Sequence, residues 1–294
     1  MSKKIFLLTL VISSLLISSR SFFNEYDLSS DLSNSYLLKK PMDLGYLMIH
    51  PRLDFENLHF LCEDGKHGVA NCKSEERIMG IFMRALRYKN ITDAVEDRYE
   101  LPRNTLMTML MQECHGINLL PNGNGDGGVG LIHMQPMLAH QFGLNTLNGC
   151  KDLVSHTHGR QINSLINEFY TSPEHLLKYD DRFHPILNID AAGRMIKYYS
   201  TLKMIGKDKW DSAFKRYAGK YNYGIYTRNL RYFKKFLEDQ EFMTKISETF
   251  NEINPELTYQ GDTIQFEKFL ELNHTFNFNY DLEKYMINPI GATP

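Results

Sequence analysis

Apolar residues recur at helical spacing in one segment after another, while the strict alternation of a half-buried strand is scarce; that pairing restricts the chain to a mainly α fold. After Ser74-Glu75-Glu76, whose acidic residues suit a first helical turn, Ile78, Phe82, Ala85, Leu86 and Ala94 predict a helix pair before residue 100. Leu101-Pro102-Arg103-Asn104 reads as the next helix start. Leu106, Met109, Leu110 and Glu113 then fall at i, i+3, i+4 and i+7, which sets Glu113 on an apolar stripe. The same period returns over 161–170, 188–205 (Ile189, Ala192, Ile196, Tyr199), 209–217 and 225–239.

The flanks read differently. Lys3-Lys4, the apolar run Ile5–Ile17 and the serines around Arg20 form a secretory signal peptide over residues 1–21, because the run is shorter than the roughly 20 residues that span a bilayer. An uncleaved N-terminal anchor is the alternative; either way the domain leaves the cytoplasm, for the periplasm or the exterior. Residues 22–74 read as an irregular N-terminal extension, 75–239 as the main domain, and 240–294 as an irregular C-terminal extension with isolated aromatics such as Phe266, Phe269 and Phe276 and room for one further helix. The four cysteines suit an oxidising compartment. The short polar loop between Cys62 and Cys72 makes their bridge the simplest pairing, and Cys114–Cys150 would follow; four reduced, buried thiols are the alternative. A formal net charge of -2 supplies no basic field, which argues against nucleic acid as a partner. No stable membrane insertion is expected once the signal is cleaved.

Between the helical segments runs Pro121-Asn122-Gly123-Asn124-Gly125-Asp126-Gly127-Gly128-Val129-Gly130, which excludes regular helix and predicts a loop or small hairpin. It follows Glu113 closely. A glutamate on the apolar face of a helix loses hydration when ionised and so tends to hold a proton, as a general acid must. Cleavage of a glycosidic bond with inversion uses such an acid and a second carboxylate about 6.5–9.5 Å away. Asp126 is the candidate for the second, although an aspartate in such a loop also serves as a turn residue that binds its own backbone.

Glu113-Cys114-His115-Gly116, the Asn122–Asp126 run and Gly128-Val129-Gly130-Leu131-Ile132-His133-Met134-Gln135-Pro136 together resemble the lysozyme-like superfamily, its goose-type lysozymes and soluble lytic transglycosylase (SLT) domains. His184-Pro185-Ile186-Leu187-Asn188-Ile189 is similar to the family's Asn-Ile element, and Tyr217-Ala218-Gly219 to its Tyr-Asn-x-Gly element, with Tyr221-Asn222-Tyr223-Gly224 as an alternative alignment. The resemblance covers about residues 99–235. It implies a helical domain with the glycine-rich loop beside the active site, and a muramidase acting on the MurNAc-β-1,4-GlcNAc bond of peptidoglycan glycan strands. Glu113 would be the acid and Asp126 would assist the water. Cys114, His133, Gln135, Tyr217, Tyr221 and Asn222 would contact substrate. Cys114 stands where the family has Ser, His133 where it has Gln, and Ala218 where it has Asn.

No cofactor or metal is expected. Asn122-x-Asn124-x-Asp126 imitates a calcium loop, but the twelfth position is His133 rather than Glu. His156, His158, His175 and His184 match no ligand spacing. Cys114 and His115, adjacent on a helix, do not face each other as a nucleophile and base would. Two other outcomes stay open beside hydrolysis: a lytic transglycosylase, in which the muramic C6 hydroxyl attacks to give a 1,6-anhydro product, and a glycan-binding protein without turnover on the same fold.

Overall fold

The computed structural model describes residues 58–61, 74–123, 125–147, 156–169, 173–259 and 261–274, all within one compact unit. The expected signal peptide, most of the N-terminal extension, the tail beyond 274, and Cys62, Cys72 and Cys150 lie outside the described residues. The described chain is mainly helical, as the apolar period predicts. In order it forms α1 (Ser74–Ala85), α2 (Lys89–Tyr99), α3 (Thr105–Cys114), the short α4 (Pro136–Gln141), α5 (His156–Glu168), α6 (Pro185–Thr201), α7 (Lys209–Leu237) and α8 (Gln240–Ile253). A two-residue-per-strand hairpin, β1 (Thr258–Tyr259) antiparallel to β2 (Asp262–Thr263), and α9 (Phe266–His274) follow. Among the described residues no helix is long and apolar enough to cross a membrane.

The helix boundaries have visible causes. Helix α6 starts on Pro185, whose missing N–H is no loss at a first helical position, with the His184 ring accepting from Leu187 N at 3.4 Å. Helix α7 is capped by Asp208, which accepts from Trp210 N and Asp211 N, both at 2.8 Å. Helix α3 is capped from a distance: Glu96 on α2 accepts from Asn104 N at 2.8 Å and Leu106 N at 2.7 Å. Left-handed His115, at φ 55, ends it.

Helix α3 is the centre of the core. It touches α1, α2, α6 and α7, and Thr105 through Met111 are all buried. A helix buried on every side over Thr105–Met111 has no single apolar stripe, and Glu113 stands beyond that stretch at its partly exposed end. Beneath the glycine loop, Leu119, Val129, Ile162, Ile166, Leu176 and Phe183 form a second cluster.

The segment after 239 is not irregular where it is described. Phe242 at the start of α8 meets Phe82 of α1 edge-on at 5.1 Å, and Phe250 stacks on Phe269 of α9 at 4.9 Å. Asn254 pairs with the backbone of His59, accepting from its N–H at 2.5 Å and donating to its carbonyl at 3.0 Å. Aromatic residues that lack sequence periodicity in the tail thus build one surface of the main core.

Candidate active site

Glu113 lies in the last turn of α3, its side chain 17% exposed. The glycine loop brings His133 against it: Nδ1 stands 3.5 Å from Glu113 Oε2, on a side chain 7% exposed. The other ring nitrogen, Nε2, is 2.7 Å from the Leu120 carbonyl, which can only accept. Nε2 therefore carries a hydrogen. Nδ1 then faces Glu113 either as a bare lone pair or as part of an imidazolium, and a hydrogen bond between the two side chains needs one proton, on either partner.

Two phenols face the same carboxyl. Tyr217 donates its hydroxyl to the Ile132 carbonyl at 3.0 Å, and its ring lies 5.4 Å from that of Tyr226. Tyr217 is partly exposed as a whole residue, but burial of its phenol end, and next the nearby Glu113 carboxylate, push it well above the usual tyrosine range. Burial first and Glu113 second do the same to Tyr226. The Tyr226 hydroxyl is buried and meets no partner at hydrogen-bonding geometry. Helix α7 breaks at Gly219, whose φ of 73 and ψ of 164 belong to a region almost reserved for glycine, so Tyr217 precedes the break and Tyr226 follows it.

Asp126 is engaged within its loop. It accepts from Gly128 N at 2.9 Å, Asn122 Nδ2 at 3.1 Å and Gln135 Nε2 at 2.9 Å. The first is the turn-forming contact expected of an aspartate in a glycine loop. Gln135 is thereby brought to Asp126. The loop closes by one antiparallel bridge, Val129 to Met134.

The base of the loop is held from α6 and the turn before it. Asn188, fully buried, accepts from Ile132 N at 2.9 Å. Gly130, at φ 79, leaves no room for a side chain, because a Cβ there would stand 2.2 Å from the Arg182 carbonyl. Arg182, itself buried, donates to Gly127 O at 2.6 Å and Met134 O at 2.8 Å, clasping both ends of the loop. Asp180 holds the same guanidinium through two contacts, at 2.9 and 2.7 Å.

Of the residues expected at the site, Glu113, His133 and Tyr217 come together, and Asp126 meets Gln135. Cys114 points elsewhere: it is fully buried with a free thiol, its Sγ donating to Leu110 O at 3.4 Å, and burial pushes the thiol up to about 12. One residue further along a helix turns about 100° away, so Glu113 and Cys114 diverge. Asn222 is exposed beyond the break in α7, and the Tyr221 side chain lies outside the described residues. Among the described residues no group of three or more His, Cys, Asp or Glu could hold a metal ion.

Sequence reasoning missed three residues. Tyr226 carries no motif. Asp180 and Arg182 are an ordinary acidic-basic pair in sequence, and nothing local to them marks a loop some 50 residues earlier as their target. Comparisons with protein-family models, with curated proteins and with solved structures find no match to this chain.

Proposed function

We propose that the chain is a lysozyme-type glycosidase that cleaves the MurNAc-β-1,4-GlcNAc bond of peptidoglycan, on a helical domain of the goose-type or SLT kind, outside the cytoplasm. One observation carries the reading: a partly exposed glutamate, ending a buried helix, faces an imidazole nitrogen and two phenols instead of a lysine or arginine. A carboxyl in such company gives and regains a proton without being locked in a salt bridge.

Glu113 donates its proton to the glycosidic oxygen as the bond from that oxygen to C1 breaks. The leaving sugar departs as its hydroxyl. In hydrolysis, a water on the opposite face bonds C1 as it gives a proton to the Asp126 carboxylate, and exchange with solvent then restores the proton on Glu113. Asp126 assists by orienting that water with the lone pairs left to it.

A second reading is favoured by the three donors already on Asp126, which give it a sufficient task within the loop. In it the C6 hydroxyl of the muramic residue attacks C1, and a single carboxylate suffices. Mass spectrometry of fragments released from purified sacculi separates the two, since the anhydro product is lighter by one water. Glu113→Gln is expected to lower lytic activity by at least roughly 10²-fold. Full activity in that variant would overturn the proposal.

A further inference from the structure

We infer that His133 is a positioning residue for the Glu113 carboxyl and not a contact for sugar, its Nδ1 edge standing 3.5 Å from Oε2. The inference rests on the glycosidase reading of Glu113.

A side chain that binds sugar hydroxyls must present free donors or acceptors to solvent. His133 has none to spare, because Nε2 is committed to Leu120 O and Nδ1 faces Glu113 on a side chain 7% exposed. Its backbone is fixed on both sides. Ile132 N donates to Asn188, Ile132 O accepts from Tyr217, and Met134 N donates to Val129 O at 3.1 Å. His133 itself sits at φ 38, a left-handed conformation that costs a non-glycine residue energy and persists only where the surroundings enforce it. The fold thus holds one imidazole edge against one carboxyl.

The other titratable groups around the pair keep their charge across the neutral range. Burial, followed by Arg77, Arg84 and His133, lowers His115 to about 4, so its imidazole is neutral there. Tyr217 and Tyr226 are raised and stay protonated.

The test uses His133→Asn, since asparagine tolerates a left-handed backbone, with His133→Gln as the second variant should the first melt well below the natural chain. On soluble peptidoglycan glycan fragments, kcat is expected to fall by roughly 10²-fold, the scale of a misplaced catalytic group, with KM within about twofold. A raised KM with kcat kept would make His133 a sugar contact and overturn the inference. Nitrogen NMR of the full chain supplies a readout without turnover. His133 is expected as the Nε2–H tautomer, with an Nδ1 signal that moves in Glu113→Gln. An Nδ1 signal indifferent to that substitution would overturn the inference even if the enzyme is active. If the natural chain releases no fragments, the glycosidase reading fails, and the NMR comparison still decides whether the pair exists.

Discussion

Asp180 and Arg182, two residues apart, form a bidentate ion pair with no solvent exposure, and the free edge of the guanidinium closes both ends of the glycine loop. Removing one member leaves the other charged and buried, a situation that costs about 3–5 kcal/mol. Asp180→Asn and Arg182→Met are each expected to destabilise by that amount in urea unfolding. Arg182→Met should also lose activity ahead of global unfolding, because Gly127 O and Met134 O lose their donor. Equal midpoints for variant and natural chain would show that the clasp is dispensable.

Glu96 gives a pH dependence of known sign. Burial is the main cause of its rise from 4.5 to about 7, against the two backbone N–H groups of the α3 start, which pull the other way. Between those values the folded chain binds more protons at this site than the unfolded chain. Its contribution to stability is therefore complete below about pH 4.5 and falls as pH climbs through 7. His115 and His184, each lowered by burial from 6.5 to about 4, act oppositely and lose their contribution as pH drops from 6.5 toward 4. Glu96→Gln is expected to remove the alkaline-side decline while keeping the acid-side one. It should also lower stability at pH 5 by about 1–3 kcal/mol, since its amide offers one acceptor where two N–H groups need one each. Thermal melts at several pH values measure both effects.

Gly219→Ala is expected to cost on the order of 1–3 kcal/mol, with no steric cause, because a Cβ there would meet nothing within 4 Å. The strain lies wholly in the backbone, at φ 73 and ψ 164. Relief comes by restoring helical geometry, which rotates Tyr226 away from Glu113. Lytic activity should therefore fall further than the stability loss explains. A variant equally unstable but fully active would separate the break from the site.

The parts of the fold that follow from local chemistry were legible in the sequence. The helix that starts after Pro102 and the glycine-rich loop required only spacing and turn residues, whereas Tyr217 was singled out by the resemblance alone. Tyr226 was hidden for a physical reason. Nine residues on an unbroken helix make about two and a half turns, which sets positions 217 and 226 on opposite faces; the break at Gly219 resets the phase and brings the rings to 5.4 Å. The tail misled because its aromatic residues pack against Phe60 and Phe82, contacts that no local window contains. The substrate role expected of Cys114 came from the resemblance alone, whereas its helical phase turns it into the core.

That buried thiol has a practical use. Cys114 is the residue after Glu113, is fully enclosed, and is held well above the range in which thiols react. An alkylating reagent reaches it only when the end of α3 opens, so the rate at which the peptide containing Cys114 acquires label is a clock for excursions of the glutamate's own helix. The buried thiol becomes a native, mutation-free gauge of how firmly the neighbouring Glu113 carboxyl is held.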